Sequence, residues 1–249
     1  MKGGQALRYD ILGVAFDHLT PDEAIVHACA FLEEDRPHAV VTPNAEIVWL
    51  AARNRALLEA LDAADLVLPD SIGIVKAARI LGHPIQERLP GIDFAQALLP
   101  ALARRGTPVF LFGGRPGVSQ EAARKLTETH AGLNICGTRD GYYPPGTEGD
   151  IAEIIRQSGA QVVFVCLGAP KQELFIQTYG AQTGARLLIG LGGALDVWAG
   201  LVRRAPKVFI KLGLEWLYRF LRHPSRLNRA YRLPAFLWAV RRAKRKSLR

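Results

Sequence analysis

Cysteine is scarce in this chain. There are three in 249 residues, Cys29, Cys136 and Cys166, far apart and with no C-x-x-C pair. A disulfide framework or a cysteine zinc site is disfavoured, and a reducing cytosol is the expected compartment. The six histidines are scattered and no H-E-x-x-H occurs, which argues against a zinc hydrolase. There is no G-x-x-x-x-G-K-S/T, which argues against a P-loop ATPase. GLGGAL, from Gly190, only nearly matches G-x-G-x-x-G and comes late, which argues against a dinucleotide-binding dehydrogenase. No D-x-D pair offers the usual manganese or magnesium anchor for a nucleotide diphosphate. No apolar run reaches the roughly 18 residues of a spanning helix. MKGGQALRYD at the N-terminus lacks the apolar core of a secretory signal.

Acidic residues are nearly missing from the C-terminal end. The whole chain holds 32 Lys or Arg and 23 Asp or Glu, a net charge of +9. Residues 203–249 take 15 of the bases and one acid, Glu215, so they carry +14 and residues 1–202 carry −5. A mildly acidic body thus joins a strongly basic end, and that end should meet an anionic partner: lipid headgroups, nucleic acid or a phosphorylated substrate.

With 49% hydrophobic residues the composition is globular, and the length suits one large domain or a domain plus an appendage. Apolar runs alternate with helical patterns. YDILGVAF, HAVVT, DLVLP, TPVFLFG, LNICGT, QVVFVCLG and RLLIGLG read as strands. Helices are predicted near 21–34, 45–62, 72–81, 92–105, 117–130, 148–158 and 171–183. Thr20, Pro21 and Glu23 form a capping-box start for the first. This alternation predicts an α/β fold, a Rossmann-like, mostly parallel sheet with helices on both faces. Gly200 and the charge change after it suggest a catalytic core over 1–202 and a basic amphipathic appendage over 203–249.

In such sheets ligands bind beyond the carboxyl ends of the strands. Five predicted strand ends carry unusual chemistry: TPNAE (Thr42 to Glu46), Asp70 in LVLPDSIG, GGRPG (Gly113 to Gly117), LGAPKQE (Leu167 to Glu173) and LGGALD (Leu191 to Asp196). Glycine turns let backbone N–H groups approach a ligand, and a following helix start favours phosphate. One such turn is ordinary βα geometry, but several at one sheet edge favour a nucleotide or another phosphorylated ligand. Asp70 is open to three readings at this level: a helix cap, a metal ligand, or a base. The missing D-x-D and histidine clusters weigh against the metal.

TPNAE, DSIG, ERLPGID, LFGG, LGAPKQE, LGGALDVWAG followed by RAP, and GLEWLYRFLRHPSRLNR occur in this order. Their order and spacing resemble the WecG/TagA/CpsF glycosyltransferases over about Tyr9 to Arg232. The resemblance implies transfer of a sugar from a UDP-sugar to a polyprenyl-diphosphate-linked acceptor at the inner face of the cell membrane. TagA-type members add N-acetylmannosamine to undecaprenyl-diphosphate-N-acetylglucosamine for wall teichoic acid. Other members use the corresponding uronic acid or other hexoses for capsule or exopolysaccharide. It also implies an inverting reaction with no metal or other cofactor. Ser71, Leu195 and His223 stand where glycine, phenylalanine and glutamate are more usual.

The resemblance assigns roles residue by residue. Asp70 becomes the base that takes the acceptor proton. Thr42, Asn44, Arg88 and Gln172 line the sugar pocket. From their own chemistry rather than the resemblance, Tyr142 can stack on uracil and Asp196 can accept a base N–H or bind ribose, with loop packing the other reading of Tyr142. Gly113, Gly114, Gly192 and Gly193 can admit the nucleotide closely, or serve turn geometry alone. Arg219, Arg226 and Arg229 of the appendage stabilise the departing diphosphate. KVFIKLGLEWLYRFLR and PAFLWAVRRAKRKSLR mix large apolar and cationic residues, as a membrane-surface segment does. Off the membrane, the same apolar surface offers a route to self-association. Charge alone would also suit nucleic acid, but no RRM or zinc-finger signature accompanies it. A non-catalytic nucleotide- or lipid-binding module is the reading from a different class.

Overall fold

The computed structural model describes residues 7–85, 87–206, 209 and 232–247. The chain opens with β1 (Arg8–Ile11) and β2 (Val14–Asp17), an antiparallel hairpin apart from the main sheet. The single strand predicted for YDILGVAF is therefore two. Leu12 and Gly13 both take positive φ, 56° and 89°, as a tight two-residue turn requires. The hairpin guards a sheet edge. Asp17, 3% exposed, accepts from Arg8 Nε at 3.0 Å and from the Val67 backbone N–H at 2.7 Å. An edge strand's free N–H is thereby satisfied.

The main sheet is built from β3 (His38–Val41), β4 (Leu66–Val67), β5 (Val109–Gly113), β6 (Ile135–Arg139), β7 (Val162–Cys166) and β8 (Leu187–Gly190). All pairings are parallel, in the order β4-β3-β8-β7-β5-β6. The helices are α1 (Pro21–Phe31), α2 (Ala45–Ala51), α3 (Arg55–Asp62), α4 (Ile72–Leu81), α5 (Gly91–Arg105), α6 (Val118–Thr129), α7 (Glu148–Gln157), α8 (Lys171–Tyr179), α9 (Ala194–Trp198) and α10 (Arg232–Ser247). This is the predicted Rossmann-like α/β architecture. The helix predicted over 45–62 is divided, because the Asn54 side chain accepts from Leu57 N–H and starts α3 afresh. The short α9, inside LGGALDVW, was not predicted.

Strand side chains alternate between two layers. Leu66, Val40, Ile189, Phe164 and Leu111 stand in one row across the sheet and pack under α1, α5, α6 and α9. On the other face Val41 and Val67 meet α2, α3, α4 and α10, while Leu188, Val163 and Phe110 meet α7 and α8. Burying one such large side chain contributes roughly 1.5–3 kcal/mol. The continuous apolar strands follow from being covered twice.

The layering also places the cleft. The helices after β3 and β7 (α2 and α8) go to one face, and those after β8 and β5 (α9 and α6) go to the other. Neighbouring strands thus send the chain apart, and crevices open beyond their carboxyl ends.

Candidate active site

A cleft of about 1060 Å³ lies over those strand ends. Thr42, Asn44, Asp70, Gly114, Tyr142, Gln172, Gly192, Gly193 and Asp196 all line it. They come from six different strand–helix connections separated by up to 154 positions in sequence, and only the sheet order brings them together.

On one side, Thr42 ends β3. Its hydroxyl is buried and donates to Gly190 O at 3.2 Å, clamping β3 to β8 at the cleft floor. Gly91 must be glycine here, since a Cβ would meet Thr42 Oγ1 at 2.6 Å. Asn44 caps α2, its Oδ1 accepting from the N–H groups of Glu46 and Ile47 at 2.9 and 3.0 Å. That leaves its amide nitrogen as the polar end for a ligand.

Asp70 is half-buried where the chain leaves β4. The N-cap of α4 is Ser71, one residue later. Ser71 Oγ does not cap its own helix; it accepts the Ala45 N–H, one of the free donors of α2, at 3.3 Å. A glycine at 71 would leave that donor to water, so the hydroxyl has a local task. Asp70 is thus not the N-cap of α4, and its carboxylate borders the cleft. The segment beside it is held by Leu89 N–H donating to Pro69 O at 2.8 Å. Arg88, on that segment, is half-buried and is not among the residues lining the cleft.

The opposite side is made of turns. Gly114, Gly141, Tyr142, Gly192 and Gly193 border it. Gly192 has φ +56°, and a Cβ there would meet open space. Gly113 differs. It does not line the cleft, and a Cβ would strike Cys166 O at 2.2 Å, so its glycine serves strand packing. The Tyr142–Tyr143 pair divides its work: Tyr143 packs on Phe112 under the Lys171 ammonium, while Tyr142 is 65% exposed at the cleft. Gln172 is buried, and its Oε1 accepts from Gly168 and Gly192 N–H at 3.2 and 2.9 Å. It ties the loops after β7 and β8 into one wall.

Several lining residues were not assigned from sequence: Glu46, Arg115, Arg203, Arg204 and Arg232. Arg115 stands inside the quoted GGRPG, where a cation beside a glycine turn was the available signal. Arg204 makes a two-pronged pair with Asp93 of α5, at 2.6 and 3.0 Å. Arg232, the first residue of α10, pairs with Glu46 of α2. Arg204 and Arg232 are thus taken up by carboxylates, and among the described residues Arg115 and Arg203 are the cleft's remaining cations for an anionic ligand. Cys166 also lines it, but burial pushes its thiol up to about 12, so it stays protonated and is no nucleophile. Arg219, Arg226 and Arg229 lie outside the described residues. Among the described residues, no group of three His, Cys, Asp or Glu could hold a metal ion, and no helix is long and apolar enough to cross a membrane.

The sequence matches the glycosyl transferase WecG/TagA/CpsF family over residues 9–249. One relative is the N-acetylglucosaminyldiphosphoundecaprenol N-acetyl-beta-D-mannosaminyltransferase of Bacillus spizizenii (strain W23). It is 36% identical over 217 residues, which span 87% of this chain and 84% of the relative. The match covers both walls of the cleft as well as the sheet beneath, and the chain belongs to the WecG/TagA/CpsF family of glycosyltransferases.

Proposed function

We propose that this enzyme moves N-acetylmannosamine from UDP-N-acetylmannosamine to undecaprenyl-diphosphate-linked N-acetylglucosamine, with inversion and without a metal. The reading of the substrates rests on the similar transferase, whose name states that acceptor and that sugar. The observation that carries the mechanism is Asp70, a half-buried carboxylate on the same cleft as Tyr142, Asp196 and the open glycine turns.

In the proposed step Asp70 takes the proton of the acceptor hydroxyl as its oxygen attacks the anomeric carbon. The bond from that carbon to UDP breaks, and one displacement inverts the centre. Tyr142 stacks on uracil and Asp196 binds base or ribose. Gly114, Gly192 and Gly193 admit the nucleotide closely. The diphosphate gains negative charge as it leaves. Arg115 and Arg203, with Arg219, Arg226 and Arg229 of the tail, supply the stabilising cations. Thr42, Asn44 and Gln172 hold the sugars directly or shape their pocket.

The basic tail brings the enzyme to its lipid substrate on the inner membrane surface. α10 supports this. Phe236 and Val240 are buried on the core, while Trp238 and Arg241, Arg242 and Arg245 are exposed.

The test is acceptor-dependent UDP release. Asp70→Asn should fold normally and lose at least about a hundredfold in kcat, the usual contribution of a positioned base. EDTA should change nothing. Near-normal turnover by Asp70→Asn removes the base assignment, and EDTA inhibition removes the metal-free one.

A further inference from the structure

The cleft does not end at the sugar-binding wall. A smaller pocket of about 320 Å³ adjoins it, lined by Trp49, Leu50, Arg53 and Arg232. Leu50 and Arg232 belong to both. The connection follows α2. Asn44 caps the helix beside Thr42, and Ile47 and Leu50 recur on the cleft side at three-residue spacing. At 1.5 Å per residue the helix carries this wall roughly 9 Å from Asn44 to Leu50. Trp49 and Arg53 continue it, the Arg53 guanidinium lying 3.5 Å from the indole centroid.

The chemistry of this extension differs from the rest of the cleft. The nucleotide side is built of glycine turns with Tyr142, Asp196 and Arg115. The extension has an isoleucine, a leucine and a tryptophan, with two guanidinium groups. Arg232 is balanced by Glu46. Arg53 is exposed and donates only to the Trp49 carbonyl, with no carboxylate against it among the described residues. An apolar wall with an unbalanced cation fits an amphiphilic anion better than a nucleotide or a free sugar. The wall also leads to α10, whose outer face carries Trp238 and three arginines. A lipid whose head reacts at Asp70 while its tail stays in a bilayer must leave the cleft toward the membrane-facing element.

We propose that the α2–α10 groove of Ile47, Leu50, Trp49, Arg53 and Arg232 binds the polyprenyl diphosphate of the acceptor. Ile47 and Leu50 line the passage of the sugar from the main cleft, Arg232 and Arg53 hold the diphosphate beyond it, and Trp49 holds the first isoprene unit. This rests on the lipid-linked acceptor proposed above.

Two measurements test it. The first is the KM for undecaprenyl-diphosphate-N-acetylglucosamine against the same headgroup on a short alkyl chain. Wild type should prefer the long chain, and Trp49→Ala should erase about tenfold of that preference, the loss from unburying one aromatic side chain. Trp49→Phe should restore most of it. The second is equilibrium binding of undecaprenyl diphosphate alone, without donor or sugar, to wild type and to Arg53→Gln. Arg53 is exposed, so this variant does not threaten folding. Arg53→Gln should weaken binding several-fold and flatten its salt dependence.

An unchanged chain-length preference in Trp49→Ala, or lipid binding indifferent to Arg53→Gln, overturns the groove. If wild type transfers no sugar yet binds the lipid diphosphate in a Trp49- and Arg53-dependent way, the groove stands and the transfer reading fails.

Discussion

Glu173 shows what a buried carboxyl costs beside a functional wall. It is 2% exposed, and its Oε2 finds no hydrogen-bond partner among the described residues. Gln172 Nε2 donates to its Oε1 at 2.9 Å, but burial outweighs that bond and raises its pKa above the usual 4.5. Between 4.5 and the raised native value the folded state binds more protons than the unfolded one. Stability from this group therefore falls as pH rises through that window. Glu173→Gln removes the titration and keeps an oxygen for Gln172. Melting curves should coincide near pH 4, and the variant should melt higher at pH 8. A variant that melts lower at pH 8 would show that the carboxylate has a partner it needs. The neighbouring Gln172 makes a related point. It was assigned to sugar binding by resemblance, and its geometry shows it first organising two loops.

At the level of elements, α10 is the piece whose attachment matters most. Its apolar side is narrow: Phe236 and Val240 are fully buried, with Leu233 and Leu237 packed beside them against α2 and α4. Phe236→Ala should cost about 3–5 kcal/mol at that contact. α10 packs chiefly on α2 and α4 at the outside of this layer, so the loss should appear as local detachment. Tryptic cleavage within 232–247 should quicken about a hundredfold while the main melting transition stays in place. A single lowered transition with unchanged cleavage would mean instead that α10 is part of the cooperative core. The α2–α4 junction is built differently. Ser71 Oγ bonds α2's free Ala45 N–H, and a Cβ on Gly73 would meet Ala45 Cβ at 2.9 Å. The two helix starts that flank Asp70 are therefore locked to each other.

Across the whole molecule, charge is the governing asymmetry, with +14 on the last 47 residues and −5 on the rest. Near an anionic leaflet each basic residue gains about 1 kcal/mol, and salt screens the attraction. The enzyme should float with anionic vesicles at about 0.1 M salt and leave them at about 1 M, where the screening length falls to roughly 3 Å. It should ignore zwitterionic vesicles. Replacing Arg241, Arg242 and Arg245 by Glu should weaken flotation without changing UDP binding. Equal binding to both vesicle types would place the affinity in the apolar residues alone. A gel shift with DNA under the same salt separates the lipid reading from a nucleic-acid one.

Much was legible in local signals. Continuous apolar runs and helix caps set the α/β alternation, because a central strand must bury both faces and a helix one, and that need is written at short range. Strand-end residues such as Thr42, Asp70 and Gly192 stood out because ligands gather where such strands end. The hairpin at Leu12–Gly13 was missed because a nearly continuous apolar run hides a two-residue turn. The break at Asn54 was missed because one cap inside a helical pattern is a weak signal. Gly113 looked like Gly114 in sequence, but only its distance to Cys166 separates packing from ligand approach. Strand order was also beyond local reading. β8 inserts between β3 and β7, and that non-local pairing brings Gly192 and Asp196 beside Thr42 and Asp70. The chain by itself determined which residues stand at the ends of its strands. The tertiary structure decided which ends share a wall, because cleft membership depends on pairing between segments far apart in sequence.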